Sequence, residues 1–249
     1  MIGIISVFIA LSNTFVNSGL SDAQKNNIEV SSQLIHFKGF TSESFKVTLS
    51  FKEIEQIKKV IFEDELLETT KNWLVIGCFT GQRVSDLMRM NKSMIEEHYG
   101  FEFIVLTQQK TKKIVQIPIH KEVKFILDFL GGNFPPVFSK NKDSNSAFFN
   151  KRLKVVCKEA KLTYLTEGSL RSEKTKRLEV GKYPKYKLVA SHICRRSFAT
   201  NFYAQRKYPT PLLMNITAHG TEKKFLNYIG KKPIDYGVQF AKIWAEDIA

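Results

Sequence analysis

The chain has 249 residues, enough for one large domain or two small ones with a real core. A hydrophobic content of 43% with 12% aromatics excludes an intrinsically disordered protein. Lys and Arg outnumber Asp and Glu by 38 to 24, a net charge of +14 that suits a polyanionic partner or a solvated basic surface. In chain order, no charge occurs before Asp22, and residues 1–16 are rich in Ile, Val and Phe. A secretory signal has a basic start, which is missing, and Ser12, Asn13 and Thr14 break the run before it can span a membrane. It reads as a packed helix, followed over residues 17–49 by a polar turn and linker.

Ser50-x-x-Glu53 is a capping box, and Ile54, Ile57 and Val60 follow at helical spacing. A second helix is predicted over about residues 63–79, burying Leu66, Leu67, Trp73, Leu74 and Ile76 and stopping at Gly81. A third starts near Arg83 with Val84, Leu87 and Met88 inward. Residues 101–108 and 114–119 are β-rich runs around a Lys-rich turn, so a hairpin is expected. Residues 121–130 read as a helix ending at Gly131-Gly132. The segment 133–137, with Pro135-Pro136, is a loop, and residues 146–159 form a basic helix with Ser146 as its cap. Residues 162–190 suggest a second, smaller hairpin. Helices follow over about 192–205, 211–219 with Thr210 as cap, and 222–229. Ile234, Val238, Ala241, Trp244 and Ile248 mark an amphipathic tail helix. The fold class is mainly α with small β hairpins (α+β).

The charge is uneven. Residues 151–196 hold fourteen Lys/Arg against four acids, ten of the fourteen surplus charges, which favours a phosphate-contacting face. Cys78, Cys157 and Cys194 lack C-x-x-C spacing, so no disulfide framework or zinc site is indicated and a reducing cytoplasm is the natural compartment.

Five short stretches carry the chemistry: Arg83 in TGQRVSDL, Lys110 in QQKTKK, His192 and Arg195 in SHICRRSFATN, His219 in ITAHG, and Tyr228 in KKFLNYIG. His192 and Arg195 lie three apart on one helix face, at an N-terminal turn where the dipole favours an anion. An ordinary basic helix start looks the same. Arg83 can fork across two phosphate oxygens, or be a surface residue beside a cap glycine. Asp86 is placed to orient Arg83, or is a plain acid of a first turn. Lys110 shares its turn with Lys112 and Lys113, and local sequence does not rank it above them. Tyr228 lies beside the apolar Phe225 and Ile229, and its phenol, with a pKa of about 10, attacks phosphorus only if cations stabilise the phenolate. Alone, it also fits a rim residue of the core, and His219 is equally ambiguous alone. As a set, these groups meet the needs of metal-free phosphoryl transfer to a tyrosine.

In this order the stretches resemble the catalytic domain of the tyrosine recombinases, the phage integrase family, and most closely the integrases of Bacteroides-type mobile elements. The resemblance covers about residues 46–230 and includes the spacings of twenty-four residues from Arg195 to His219 and nine from His219 to Tyr228. It implies that Arg83 and Arg195 clamp a scissile phosphate of double-stranded DNA. His192 and His219 donate hydrogen bonds or move protons, Lys110 protonates the departing 5′ oxygen, and Tyr228 attacks to leave a 3′-phosphotyrosyl link. No cofactor or metal is implied. Two positions depart from the common pattern: Arg196 stands where many members have His, and Ala218 where Gly is usual.

The resemblance also implies an organisation. Residues 46–249 correspond to the catalytic domain with its tail helix, and residues 1–45 to the last helix and linker of an otherwise missing core-binding domain. A truncated gene, an alternative start or a decayed element would each account for this, and each predicts weak cleavage. The tail is expected to dock on a neighbouring copy, giving a tetramer on DNA. The expected function is site-specific recombination or integration. A non-catalytic DNA-binding remnant and a type IB topoisomerase-like relaxing enzyme are the alternatives.

Overall fold

The computed structural model describes residues 45–247, apart from Ala204, Arg206 and Lys232, together with Asn26. The expected N-terminal helix and most of the linker lie outside the described residues, as does Ile248 of the tail. At Ser50 the capping box closes as expected: the Ser50 hydroxyl accepts from the Glu53 amide and the Glu53 carboxylate accepts from the Ser50 amide. Helix α1 follows at Phe51–Lys58 and buries Ile54 and Ile57. Helix α2, Glu65–Thr80, starts on Asp64, whose carboxylate accepts from the amides of Leu66 and Leu67. Every residue from Thr69 to Thr80 is buried, so α2 is the central rod of the core. Leu66 does not join it: at the first turn it is 43% exposed, on the side facing solvent.

Helix α2 ends where Gly81 turns left-handed at φ 67°. A Cβ there would also lie 2.6 Å from the Phe198 ring, so both backbone and packing demand glycine. Helix α3, Val84–Leu87, follows at once. A three-stranded antiparallel sheet comes next, with β1 Ile95–His98, β2 Phe101–Thr107 and β3 Ile114–Pro118 in that spatial order. Ile104 and Leu106 pair with Ile117 and Val115 and supply its buried face. Strand β1 was not expected, because IEEH lacks apolar alternation; it is an exposed edge joined to β2 by a tight turn, with Tyr99 and Gly100 both at positive φ.

Helix α4, Lys121–Phe129, matches the expectation. Helix α5, Lys142–Glu159, begins four residues before the expected start, so Ser146 lies inside the helix instead of capping it. The buried Asn145 amide accounts for the early start, bonding both the amide and the carbonyl of Ser139 and so closing the preceding loop. The second hairpin pairs β4, Leu165–Arg171, with β5, Leu178–Pro184. Its base is tied to α1 by Lys185, whose ammonium meets the Glu53 carboxylate at 2.5 Å and the Tyr164 hydroxyl at 2.8 Å. Helix α6, Lys185–Leu188, leads to α7, His192–Tyr203.

Helix α7 packs along α2, which also meets α4 and α5. A Cβ on Gly77 would come within 2.8 Å of Cys194, which measures how close the α2–α7 approach is. Cys78, Cys157 and Cys194 are all buried. The chain closes with α8, Thr210–Thr217, α9, Glu222–Leu226, and α10, Pro233–Asp247. Thr210 is the first helical residue, not the cap; Pro209 precedes it without a side-chain cap bond. The architecture is the expected mainly α fold with small antiparallel hairpins.

Candidate phosphoryl-transfer site

Arg195 is the centre of the site and is fully buried. It projects from the first turn of α7 against the ends of α2 and α8. One terminal nitrogen donates to the Gly81 carbonyl at 2.9 Å, and the other donates to the Thr217 carbonyl and lies 3.3 Å from His219 Nε2. The glycine turn after α2 and the end of α8 thus aim two carbonyls at one guanidinium. Its Nε is buried and has no hydrogen-bond partner among the described residues. Burial, with Arg83 adding to it, pushes Arg195 down to about 10, and Tyr228 and Asp86 oppose the shift. At neutral pH the group keeps its charge.

His219 follows Ala218, a non-glycine residue in the left-handed conformation at φ 54°. The imidazole Nδ1 lies 2.8 Å from the Thr217 hydroxyl, which itself donates to the Leu213 carbonyl at 2.6 Å. That hydroxyl therefore accepts from Nδ1–H and leaves the Nε2 lone pair facing Arg195. Burial, then the charges of Arg195 and Arg83, push His219 down to about 3, so the ring is neutral. His192, at the start of α7, is lowered in the same direction by crowding and then by Arg196, Arg195, Arg83 and Lys110.

Tyr228 lies just past α9, half-buried, where Phe225 and Ile229 anchor the segment in the core. Its ring centroid is 4.8 Å from that of His219, 6.5 Å from that of His192 and 5.4 Å from the Arg195 guanidinium carbon. Four of the six residues singled out in the sequence therefore meet in one place.

Arg83 joins them through a side-chain relay. Its guanidinium donates to the Gln108 side-chain carbonyl at 3.0 Å. The Gln108 amide donates to the Gln82 side chain at 2.7 Å, and Gln82 donates to the carbonyls of Thr80 and Ile216. Both glutamines are fully buried, so the relay fixes the start of α3, the end of β2 and the end of α8 to each other. Of the two readings of Asp86, a hydrogen bond to Arg83 is not the one found. One Asp86 oxygen receives Arg89 at 3.0 Å and the Gln109 amide at 2.8 Å, because Arg89 is the cation one turn along. Lys110 is exposed in the β2–β3 turn, in reach of His192 by its charge.

Sequence reasoning missed Gln82, Gln108 and Thr217. The first two stand beside Arg83 and Lys110, yet a pairing across 26 residues leaves no local pattern. Arg196 is a further cation here; burial lowers its pKa while Tyr228 opposes that shift. The arrangement gathers permanent positive charge around a phenol, with two neutral imidazoles at hand.

The sequence matches the phage integrase family over residues 47–232. No curated protein matches it significantly. Among solved structures, a lambda integrase (75–356) dimer bound to a COC' core site is similar at 16% identity and TM-score 0.60, covering 90% of this chain and 73% of that one. The Tn1549 transposon integrase in complex with transposon right end DNA is similar at 15% identity and TM-score 0.56, covering 92% and 76%. The XerH site-specific recombinase bound to a palindromic difH substrate, a post-cleavage complex, is similar at 16% identity and TM-score 0.57. That alignment covers 84% of this chain but only 56% of the XerH chain, so the protein spans little more than half its length. At these identities the likeness is one of fold.

Proposed function

The chain belongs to the phage integrase family, and we propose that it is a site-specific recombinase that cuts and rejoins double-stranded DNA through Tyr228. The single observation that carries this reading is the packing of the Tyr228 ring against both the buried Arg195 guanidinium and His219. A nucleophilic phenol needs nearby cations, and the nearest buried acid, Asp86, is taken up by Arg89.

In this reading Arg195 and Arg83 hold the non-bridging oxygens of a backbone phosphate, whose charge grows in the transition state. His192 donates a hydrogen bond to the same group. Burial first, and then Arg195 and Arg83, keep His219 neutral, so its Nε2 lone pair is the acceptor for the phenol proton, and an entering phosphate offsets the arginine part of that shift. The Tyr228 oxygen attacks phosphorus, the bond to the 5′ oxygen breaks, and Lys110 gives that oxygen its proton. The 3′-phosphotyrosyl link conserves the energy of the broken ester, and attack by a free 5′ hydroxyl reverses the step. Residues 46–249 carry the chemistry, residues 1–45 lead into them, and the protein works in the cytoplasm.

A DNA duplex nicked beside the cleavage point tests this, because loss of the short 5′ fragment traps the intermediate. The wild-type chain should give a covalent protein–DNA band and Tyr228→Phe none. A band that persists in the variant would assign the attack to another nucleophile, and none from either would leave a binding-only protein; each outcome sinks the reading. Relaxation of supercoils without recombinant products would point instead to a topoisomerase-like enzyme.

Helix α10 carries the second part of the proposal. Ile234 is 69% exposed, Trp244 62%, and Val238 and Phe240 are exposed beside them. We assign this apolar face to a second copy of the chain, with four copies assembling on paired sites. Deleting residues 236–249 should leave binding to a single site within about threefold and abolish the higher complexes on a gel; unchanged assembly would reject the assignment.

A further inference from the structure

The segment just before α1 enters neither the core list of catalytic groups nor the DNA-facing charge, yet it is bonded along the helix that carries them. Arg196 donates to the Phe45 carbonyl at 3.3 Å, the Leu49 amide donates to the Ser197 hydroxyl at 2.8 Å, and Asn201 donates to the Leu49 carbonyl at 2.9 Å. Two successive turns of α7 thus hold residues 45–49, and Val47 and Leu49 are buried there. On its other side the segment touches the stretch carrying the nucleophile. Gly230, two residues after Tyr228, donates its amide to Thr200 of α7 at 2.9 Å. A Cβ on Gly230 would lie 2.8 Å from Thr48 Cγ2 and 3.0 Å from the Lys46 carbonyl. Glycine is needed here for close approach, since the segment 45–49 fills the space where a side chain would stand.

We propose that residues 45–49 are a working part of the transfer site: they set the position of Tyr228 through Gly230, and through Arg196 the charge that faces it, making Thr48 and Arg196 positioning residues. Arg196 lies one turn beyond His192 on the same face of α7, so its tether at Phe45 also places a charge beside that imidazole. Phe45 and Lys46 are where the preceding chain enters this unit. Neither residue need touch the phosphate.

This inference rests on the Tyr228 chemistry proposed above. Its test is the rate of covalent adduct formation per bound enzyme on the nicked duplex, with DNA affinity and melting temperature measured alongside. Gly230→Ala should slow the adduct about 10–100-fold at unchanged DNA affinity, since a displacement of about 1 Å is enough for that. Thr48→Ala in the Gly230→Ala background should recover part of the loss, because it removes the Cγ2 that the new methyl meets. Arg196→Gln should slow the adduct and move its pH profile, with Arg196→Lys recovering part of the rate; this arm does not depend on the glycine variant folding. If the wild-type chain cleaves and all these variants match its rate and pH profile, or lose only melting temperature, the inference is overturned and the proposed activity stands. If the wild-type chain forms no Tyr228-dependent adduct, both are overturned.

Discussion

The site has two halves built on opposite principles. Around Arg195 the groups are buried and share partners: two backbone carbonyls, His219 and the Tyr228 ring all meet one guanidinium. At Lys110 the side chain is exposed on a turn where Lys112 takes a positive φ of 57°. In the proposed reaction the buried half stabilises charge and must be rigid, since preorganised dipoles contribute only if they need not move. In the same proposed reaction the exposed half delivers a proton to a leaving group and must reach, which a tethered surface lysine does well. In that reading, burial separates electrostatic holding from proton delivery.

The largest expected effect breaks the buried half. Arg195→Lys should lower adduct formation by about 10³-fold, because one ammonium cannot remake the fork to Gly81, Thr217 and a phosphate. It should also cost stability, by about 1–3 kcal/mol for each buried carbonyl left unpaired, read by urea melts. A variant with near-normal rate would show that the fork is dispensable. Lys110→Ala comes next, with adduct formation down about 10²-fold on the normal ester and stability changed by less than about 0.5 kcal/mol. Replacing the bridging 5′ oxygen with sulfur, which leaves without a proton, should restore most of that rate. Failure to restore it would assign Lys110 to the holding half.

The smallest effect is read in stability against pH. Folded His219 lies at about 3, whereas an unfolded histidine titrates near 6.5. As pH falls below about 6.5, the unfolded chain gains a proton that the folded chain refuses, so stability is lost on acidification. His219→Gln removes this term, and the stability difference between variant and wild type should shrink from pH 7 to pH 5. Parallel stability curves would mean that the imidazole is not held neutral.

The two halves also differ in how much of them is legible in the sequence. His192 and Arg195 could be placed on one face because helical spacing is local, and Phe198 and Phe202 show which face is buried. Tyr228 stood out only through its order after the other groups. The supports were not legible. Gln82 and Gln108 join through amides that any polar residue pattern would hide, and the carbonyls of Gly81 and Thr217 belong to every residue type. Asp86 carried two readings in the sequence, and only the turn of α3 shows that its partner is Arg89. In the fold, capping boxes and alternating runs located α1, β2 and β3, whereas β1 and the start of α5 depended on pairing and loop closure that arise only in three dimensions.

Ala218 bends in a sense that L residues resist, at a cost of about 1 kcal/mol that glycine would not incur. The methyl narrows what that hinge can do: with few other shapes open to it, the corner leading into the imidazole has little freedom to wander. Exchanging it for glycine should therefore give a sturdier fold with a looser aim, a trade between endurance and marksmanship located at one carbon atom.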